Sequence, residues 1–168
     1  MKEIEKSVNK VSFKRATEKD IPIILDFIKQ IAAYEKMLDK VKATEESLRE
    51  SIFHNNRAEA LLIEMNKEFV GYVIYFFNFS TFVGREGIYI EDLYIKPEYR
   101  RNGIGKKAFE VLAHIAKENK CERIEWTCLD WNEPSLNFYK SIGAKPMREW
   151  IIHRLDNEAI DEIIQKES

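Results

Sequence analysis

Cysteine is scarce in this chain. Only Cys121 and Cys128 occur, and their spacing forms neither a Cys-x-x-Cys motif nor a disulfide framework. A reducing cytoplasm is the expected setting, with both thiols serving as small core residues. Histidine is also sparse: His54, His114 and His153 share no ligand spacing, and no metal site is expected. No apolar run approaches the ~20 residues that a membrane span requires. The opening MKEIEKSVNK lacks the apolar centre of a signal peptide. Charge of one sign is missing as well. Lys and Arg number 27 against 29 Asp and Glu, a net charge of -2, which argues against a surface that coats nucleic acid.

What is present is the make-up of a globular protein: 168 residues, 45% hydrophobic and 33% charged. Residues 1–10 read as a polar tail and 11–168 as one domain. Val11–Arg15 alternates as a half-buried strand does. Thr17 to Asp20 and Pro22 open a helix running to about Met37, with Ile21, Leu25, Ile28 and Ala32 at helical spacing. Thr44 starts a shorter helix through Ile52. Leu61–Ile63, Phe69–Phe79 and Ile88–Ile95, joined by short polar links, predict an antiparallel meander. A helix follows from Gly103, with Ile104, Ala108, Leu112, Ile115 and Ala116 on its apolar face. Arg123–Cys128 reads as a strand, Asn132–Ile142 as a helix closed by Gly143, Trp150–His153 as a last strand, and Asn157–Gln165 as a terminal helix. The fold class is α+β, a mixed sheet covered on both faces by helices.

Three segments break the pattern of a plain structural domain. Glu91 and Asp92 are adjacent carboxylates inside an apolar strand. Either they touch water at a bulge or open edge, or they are buried for a purpose. Arg100-Arg101-Asn102-Gly103-Ile104-Gly105-Lys106 sets glycines and cations at a helix start, where free backbone N–H groups and the helix dipole attract an anion. An ordinary helix entry with a solvated basic turn is the alternative. Gly103 to Ala108 formally fits a dinucleotide fingerprint, but the opening β-α-β unit is missing. A phosphate-binding P-loop fails because Lys107 follows Lys106. The third segment, Trp131 to Lys140, offers Asn132 and Pro134 as a helix start and Tyr139 as a core tyrosine or a functional one.

These segments together carry a resemblance. Arg100 to Gly105 resembles the Arg/Gln-x-x-Gly-x-Gly/Ala coenzyme A motif of the GNAT acetyltransferases. Ile88–Gly105 and Trp131-Asn132-Glu133-Pro134-Ser135-x-Asn137-Phe138-Tyr139-Lys140-x-x-Gly143-Ala144 are similar to the spermidine/spermine branch of that family. Tyr34-Glu35 and Glu149-Trp150 extend the likeness, which spans about residues 11–156. Arg101-Asn102 stands where animal members of the branch have Gly-Phe.

The resemblance implies a GNAT fold, a mostly antiparallel central sheet flanked by helices. It also implies transfer of acetyl from acetyl-CoA, without a metal, to a primary amine such as spermidine or spermine. Leu93, Tyr94 and Ile95 would pair with the pantetheine arm. Arg100, Arg101, Asn102, Gly103, Ile104, Gly105 and Lys106 would hold the pyrophosphate, and Asn132, Ser135 and Tyr139 would contact the coenzyme further along. Glu91 and Tyr139 would be catalytic. Tyr34, Glu35, Glu91, Asp92, Glu125 and Glu149 would bind the acceptor. A small-molecule amine partner and a homodimer are implied, with no nucleic acid or membrane. Phe76 to Phe82 offers aromatics for an interface or for the core. A GNAT enzyme acting on a lysine-like amino acid or a protein amino terminus is the alternative, and a non-catalytic acyl-CoA-binding domain is a further one.

The chemistry constrains these roles. A primary amine of pKa ~10.4 costs roughly 4–5 kcal/mol to deprotonate at neutral pH, and a carboxylate of pKa ~4.3 is a weak base for the task. Full transfer of a proton from a phenol of pKa ~10 to a thiolate of pKa ~8.5 is uphill by about 2 kcal/mol. Tyr139 therefore suits hydrogen bonding to a developing thiolate better than early acid catalysis.

Overall fold

A computed structural model describes residues 10–166. The polar N-terminal tail predicted for residues 1–10 thus falls, except for Lys10, outside the described residues. The chain divides into two compact units, Met1–Trp131 and Asn132–Ser168.

The first unit is built on a five-stranded sheet in the order β1-β2-β3-β4-β5. Its strands are β1 (Val11–Arg15), β2 (Glu59–Met65), β3 (Glu68–Ser80), β4 (Arg85–Ile95) and β5 (Ile124–Trp126). β1 to β4 run antiparallel as consecutive neighbours, and β5 joins β4 in parallel after the crossover through α3 (Ile104–Glu118). The meander, the crossover helix and the mixed sheet are those the residue pattern predicts. Helix α1 (Ile21–Tyr34) follows a box in which the Asp20 carboxylate accepts from the Thr17 N–H at 2.8 Å, and it ends three residues before the predicted Met37. Helix α2 (Glu45–Leu48), capped by Thr44, runs on into a π-helical turn, Arg49–His54.

Side-chain alternation along the strands divides the core between the two sheet faces. Leu61, Ile63, Val73 and Tyr75 face α3 and pack on its stripe of Ile104, Ala108, Leu112 and Ala116. Ala60, Leu62, Tyr72 and Ile74 face the other way, against Ile24 and Phe27 of α1 and Ile52. Between β3 and β4 the backbones approach so closely at Gly71 that any Cβ would lie 2.2 Å from the Tyr94 carbonyl oxygen. Only glycine fits there.

The second unit contains α4 (Glu133–Ser141) and α5 (Asn157–Lys166). The predicted last strand, Trp150–His153, is not a strand: the segment is irregular, and Trp150, Ile151 and Ile152 are exposed. The residues have strand-like composition, but a strand also needs a ladder partner, and none pairs with them among the described residues. Arg123–Cys128 is likewise trimmed to the three residues of β5, the stretch that finds partners on β4.

Candidate active site

β4 changes phase in its middle. Ile74 pairs with Asp92 and Tyr75 with Ile90, so Glu91 is the extra residue of a β-bulge. Ile88 and Ile90 belong to the α3-side core, and so do Leu93 and Ile95, a step of three between Ile90 and Leu93. The bulge therefore leaves Glu91 exposed and turns Asp92, with Tyr94 two residues on, toward the face that α1 covers. The two explanations for adjacent carboxylates in an apolar strand divide between the residues: Glu91 is exposed at the bulge, and Asp92 is turned inward.

Asp92 is half-buried, and the phenol of fully buried Tyr72 donates a hydrogen bond to its carboxylate. Burial pushes the Asp92 pKa up, and the Tyr72 hydrogen bond opposes that rise. Glu35, the residue that ends α1, is raised by burial first and by the charge of Asp92 second. The Tyr72 phenol is pushed well above its ordinary value, chiefly by burial, with the charges of Asp92, Glu35 and Glu91 adding to it. Three of the predicted acceptor carboxylates thus act on the Tyr72 phenol, and Asp92 acts on Glu35 as well. Burial, and after it the charge of Glu35, holds the Cys128 thiol up.

Glu125 sits differently. It pairs in register with Tyr89, meets Arg123 Nε at 3.2 Å and accepts from Asn78 Nδ2 at 3.4 Å.

Past the bulge, β4 parts from its parallel neighbour. β5 pairs only with Ile88, Tyr89 and Ile90, so one backbone edge of Leu93–Ile95 is left without a strand partner among the described residues. The chain then turns into α3. Arg100 Nε donates to the Ile95 carbonyl at 2.8 Å, and the guanidinium lies 4.8 Å from the Tyr34 ring centre and 5.5 Å from that of Tyr94. Asn102 Nδ2 donates to the Tyr99 carbonyl at 3.0 Å. Arg101 and Gly103 both have positive φ, 64° and 75°. Such alternation aims successive backbone N–H groups into a concavity. No side chain caps α3, and its first internal bond is Lys107 N–H to the Gly103 carbonyl at 3.1 Å. The first-turn N–H groups of Gly105 and Lys106 therefore point out of the helix start, with Arg101, Lys106 and Lys107 exposed nearby.

At the end of α1, Tyr34 is 6.1 Å from Trp131, ring to ring, and Lys36 Nζ lies 5.0 Å over the Trp131 ring. In the second unit, Asn132 caps α4, its Oδ1 accepting from the Ser135 N–H at 3.4 Å, and Tyr139 lies in the last turns of that helix. Glu149 is exposed in the irregular segment that follows.

Residues 26–144 match the model of the acetyltransferase (GNAT) family. The chain belongs to the GNAT acetyltransferase family. It is an acetyl-CoA-dependent N-acetyltransferase. Over 168 aligned residues it is 38% identical to thialysine N-epsilon-acetyltransferase of Bos taurus, covering 93% of this chain and 98% of that one. It is 30% identical to spermidine/spermine N(1)-acetyltransferase-like protein 1 of Homo sapiens, covering 92% of this chain and about a quarter (24%) of that longer protein. Among solved structures, an integron cassette protein from the mobile metagenome of V. cholerae superposes with a TM-score of 0.75 at 25% identity, covering 92% and 98% of the two chains.

A GNAT enzyme must accept a pyrophosphate and an extended amide-bearing arm. The start of α3 carries no side-chain cap, and β4 beyond Ile90 has one edge without a strand partner among the described residues. Among the described residues no group of three or more His, Cys, Asp and Glu side chains is arranged to hold a metal, and no helix is long and apolar enough to cross a membrane. Two features of this site were missed in the sequence. Tyr72 read as one more aromatic of a buried strand, although its place diagonal to Asp92 follows once the bulge is known. Arg100 has local contacts that the sequence did not show: its Nε holds the Ile95 carbonyl and its plane lies over two tyrosines.

Proposed function

We propose that this GNAT enzyme transfers acetyl from acetyl-CoA to the terminal primary amine of a small, lysine-like amino acid. The observation that carries the reading is the mixed charge where α1 ends. Glu35 and Asp92 offer carboxylates to an ammonium, while Lys36 and Arg100, both stacked on aromatic rings there, offer cations to a carboxylate. An amino acid uses both signs, whereas a polyamine uses only the first. Similarity to a thialysine acetyltransferase over nearly its whole length supports the same class.

In this reading the N–H groups of residues 103–106, with Arg101 and Lys106, hold the pyrophosphate, and Leu93–Ile95 bind the pantetheine arm. Asn132 and Ser135 contact the coenzyme on α4. Tyr34, Glu35, Asp92 and Glu149 contact the acceptor, with Glu125, already held by Arg123, at the margin. Glu91, exposed at the bulge, helps remove the amine proton through water, since a solvated carboxylate is too weak a base to take it directly. Tyr139 donates a hydrogen bond to the departing thiolate. The chemistry takes place in the cytoplasm, consistent with two free thiols, and in a homodimer.

A second acceptor, a polyamine, is favoured by one observation: Glu91 adds a third carboxylate to the Glu35–Asp92 pair. Thiol release by the purified chain with acetyl-CoA separates the two. Lysine and thialysine should give kcat/KM at least about tenfold above spermidine, with weak dependence on salt. Preference for spermidine, collapsing as salt is added, would replace the first reading by the second.

A further inference from the structure

We infer that Tyr72 is a positioning residue of the transfer, whose buried phenol fixes the Asp92 carboxylate on the α1 face for the acceptor amine. The inference rests on the proposed role of Asp92 as an acceptor contact and adds a residue to it.

The geometry starts from the ladder. Tyr72 stands opposite Tyr94, and Asp92 opposite Ile74, so Tyr72 and Asp92 are diagonal neighbours on one sheet face. An aromatic side chain spans that diagonal. The Tyr72 ring is clamped from the helix side: its centroid lies 5.4 Å from that of Phe27 at 26°, and no part of the residue is exposed. Phe27 also meets Tyr94, at 6.0 Å. The clamp fixes the position of the phenol oxygen, and the acceptor it donates to is Asp92. Packing alone would be satisfied by phenylalanine. The hydroxyl, buried at the boundary of an apolar cluster, has a purpose only through the carboxylate it bonds.

That purpose is electrostatic. Asp92 faces Tyr72 from β3, Glu35 from the end of α1 and Glu91 beside it on β4, with the Cys128 thiol beyond Glu35. The cations at this end of α1, Lys36 and Arg100, are stacked on the Trp131 and Tyr34 rings. Burial favours a protonated Asp92, which would bind an ammonium poorly. The Tyr72 hydrogen bond is the contact that works against protonation. It also selects one orientation of the carboxylate.

The test is Tyr72→Phe, which removes one oxygen and keeps the ring against Phe27. Without the hydrogen bond the Asp92 pKa rises, so more of it is protonated at a given pH. The acid limb of kcat/KM for lysine or thialysine should move to higher pH by roughly one unit. At neutral pH the amine KM should rise about tenfold, with kcat at saturating amine and the KM for acetyl-CoA changed less than about threefold. Site-specific replacement of Tyr72 by a ring-fluorinated tyrosine, a stronger donor, should move the same limb to lower pH. An unmoved acid limb in both proteins overturns the inference. Asp92→Asn separates this failure from that of the underlying reading. If it leaves the amine KM unchanged, Asp92 is no acceptor contact and both fall. If it raises the KM while the Tyr72 variants do nothing, only the role of Tyr72 falls.

Discussion

Glu35 is placed against its own stability. It follows the last residue of α1, where the helix dipole disfavours a negative charge, and burial and Asp92 raise its pKa further. A carboxyl raised in the folded state holds a proton that the unfolded chain has already released, so stability falls as pH climbs from the ordinary carboxylate value through the raised one. The penalty is complete above that window and absent below it. Glu35→Gln should therefore raise Tm at neutral pH. The gain should vanish below about pH 4. The same variant should raise the amine KM, a trade of activity for stability. Thermal unfolding followed at both pH values checks this, and an equal gain at both would show that ionisation is not the cause. Glu91 and Asp92 were legible as an anomaly because an apolar strand gives carboxylates no reason to be there. Their partner Tyr72 was not, because a buried tyrosine and a buried phenylalanine look alike until the ladder register is known.

At the scale of elements, the turn from β4 into α3 joins the two halves of the proposed coenzyme site. Gly103 takes φ 75°, and a Cβ there would meet nothing within 4 Å, so the position demands a left-handed backbone but leaves space around it. Gly103→Ala should then cost folding about 1 kcal/mol, the usual penalty for a left-handed non-glycine residue. It should weaken acetyl-CoA only modestly. Gly103→Asp adds a negative charge where the pyrophosphate would sit and should abolish binding at similar folding cost. Calorimetry with acetyl-CoA on both variants tests the assignment, and unchanged affinity in Gly103→Asp would contradict it. Helix α3 was readable in advance because its stripe of Ile104, Ala108, Leu112 and Ala116 repeats every turn. The strand predicted at Trp150–His153 was not found, because local composition sets the propensity of a strand and distant residues set its pairing. The bulge lay between these cases. Its trace is the three-residue step from Ile90 to Leu93, visible only once the two core faces are assigned.

The molecule as a whole keeps considerable apolar surface in the open. Phe79 and Phe82 are exposed at 63% and 95%, and Trp150, Ile151 and Ile152 at 67–75%. Of the two readings of Phe76 to Phe82, interface or core, the first predicts a dimer by light scattering, shifted toward monomer by Phe82→Asp, and a monomer at all concentrations would contradict it. The central claim, catalysis of acetyl transfer to a terminal amine, is tested most directly by following free thiol and acetylated product together. Purified protein given acetyl-CoA and thialysine should release thiol and side-chain N-acetyl product in equal amounts. Tyr139→Phe should bind acetyl-CoA as before and turn over roughly 10²-fold more slowly. Tight binding of acetyl-CoA with no acetylated product from lysine-like amines or polyamines would contradict the account.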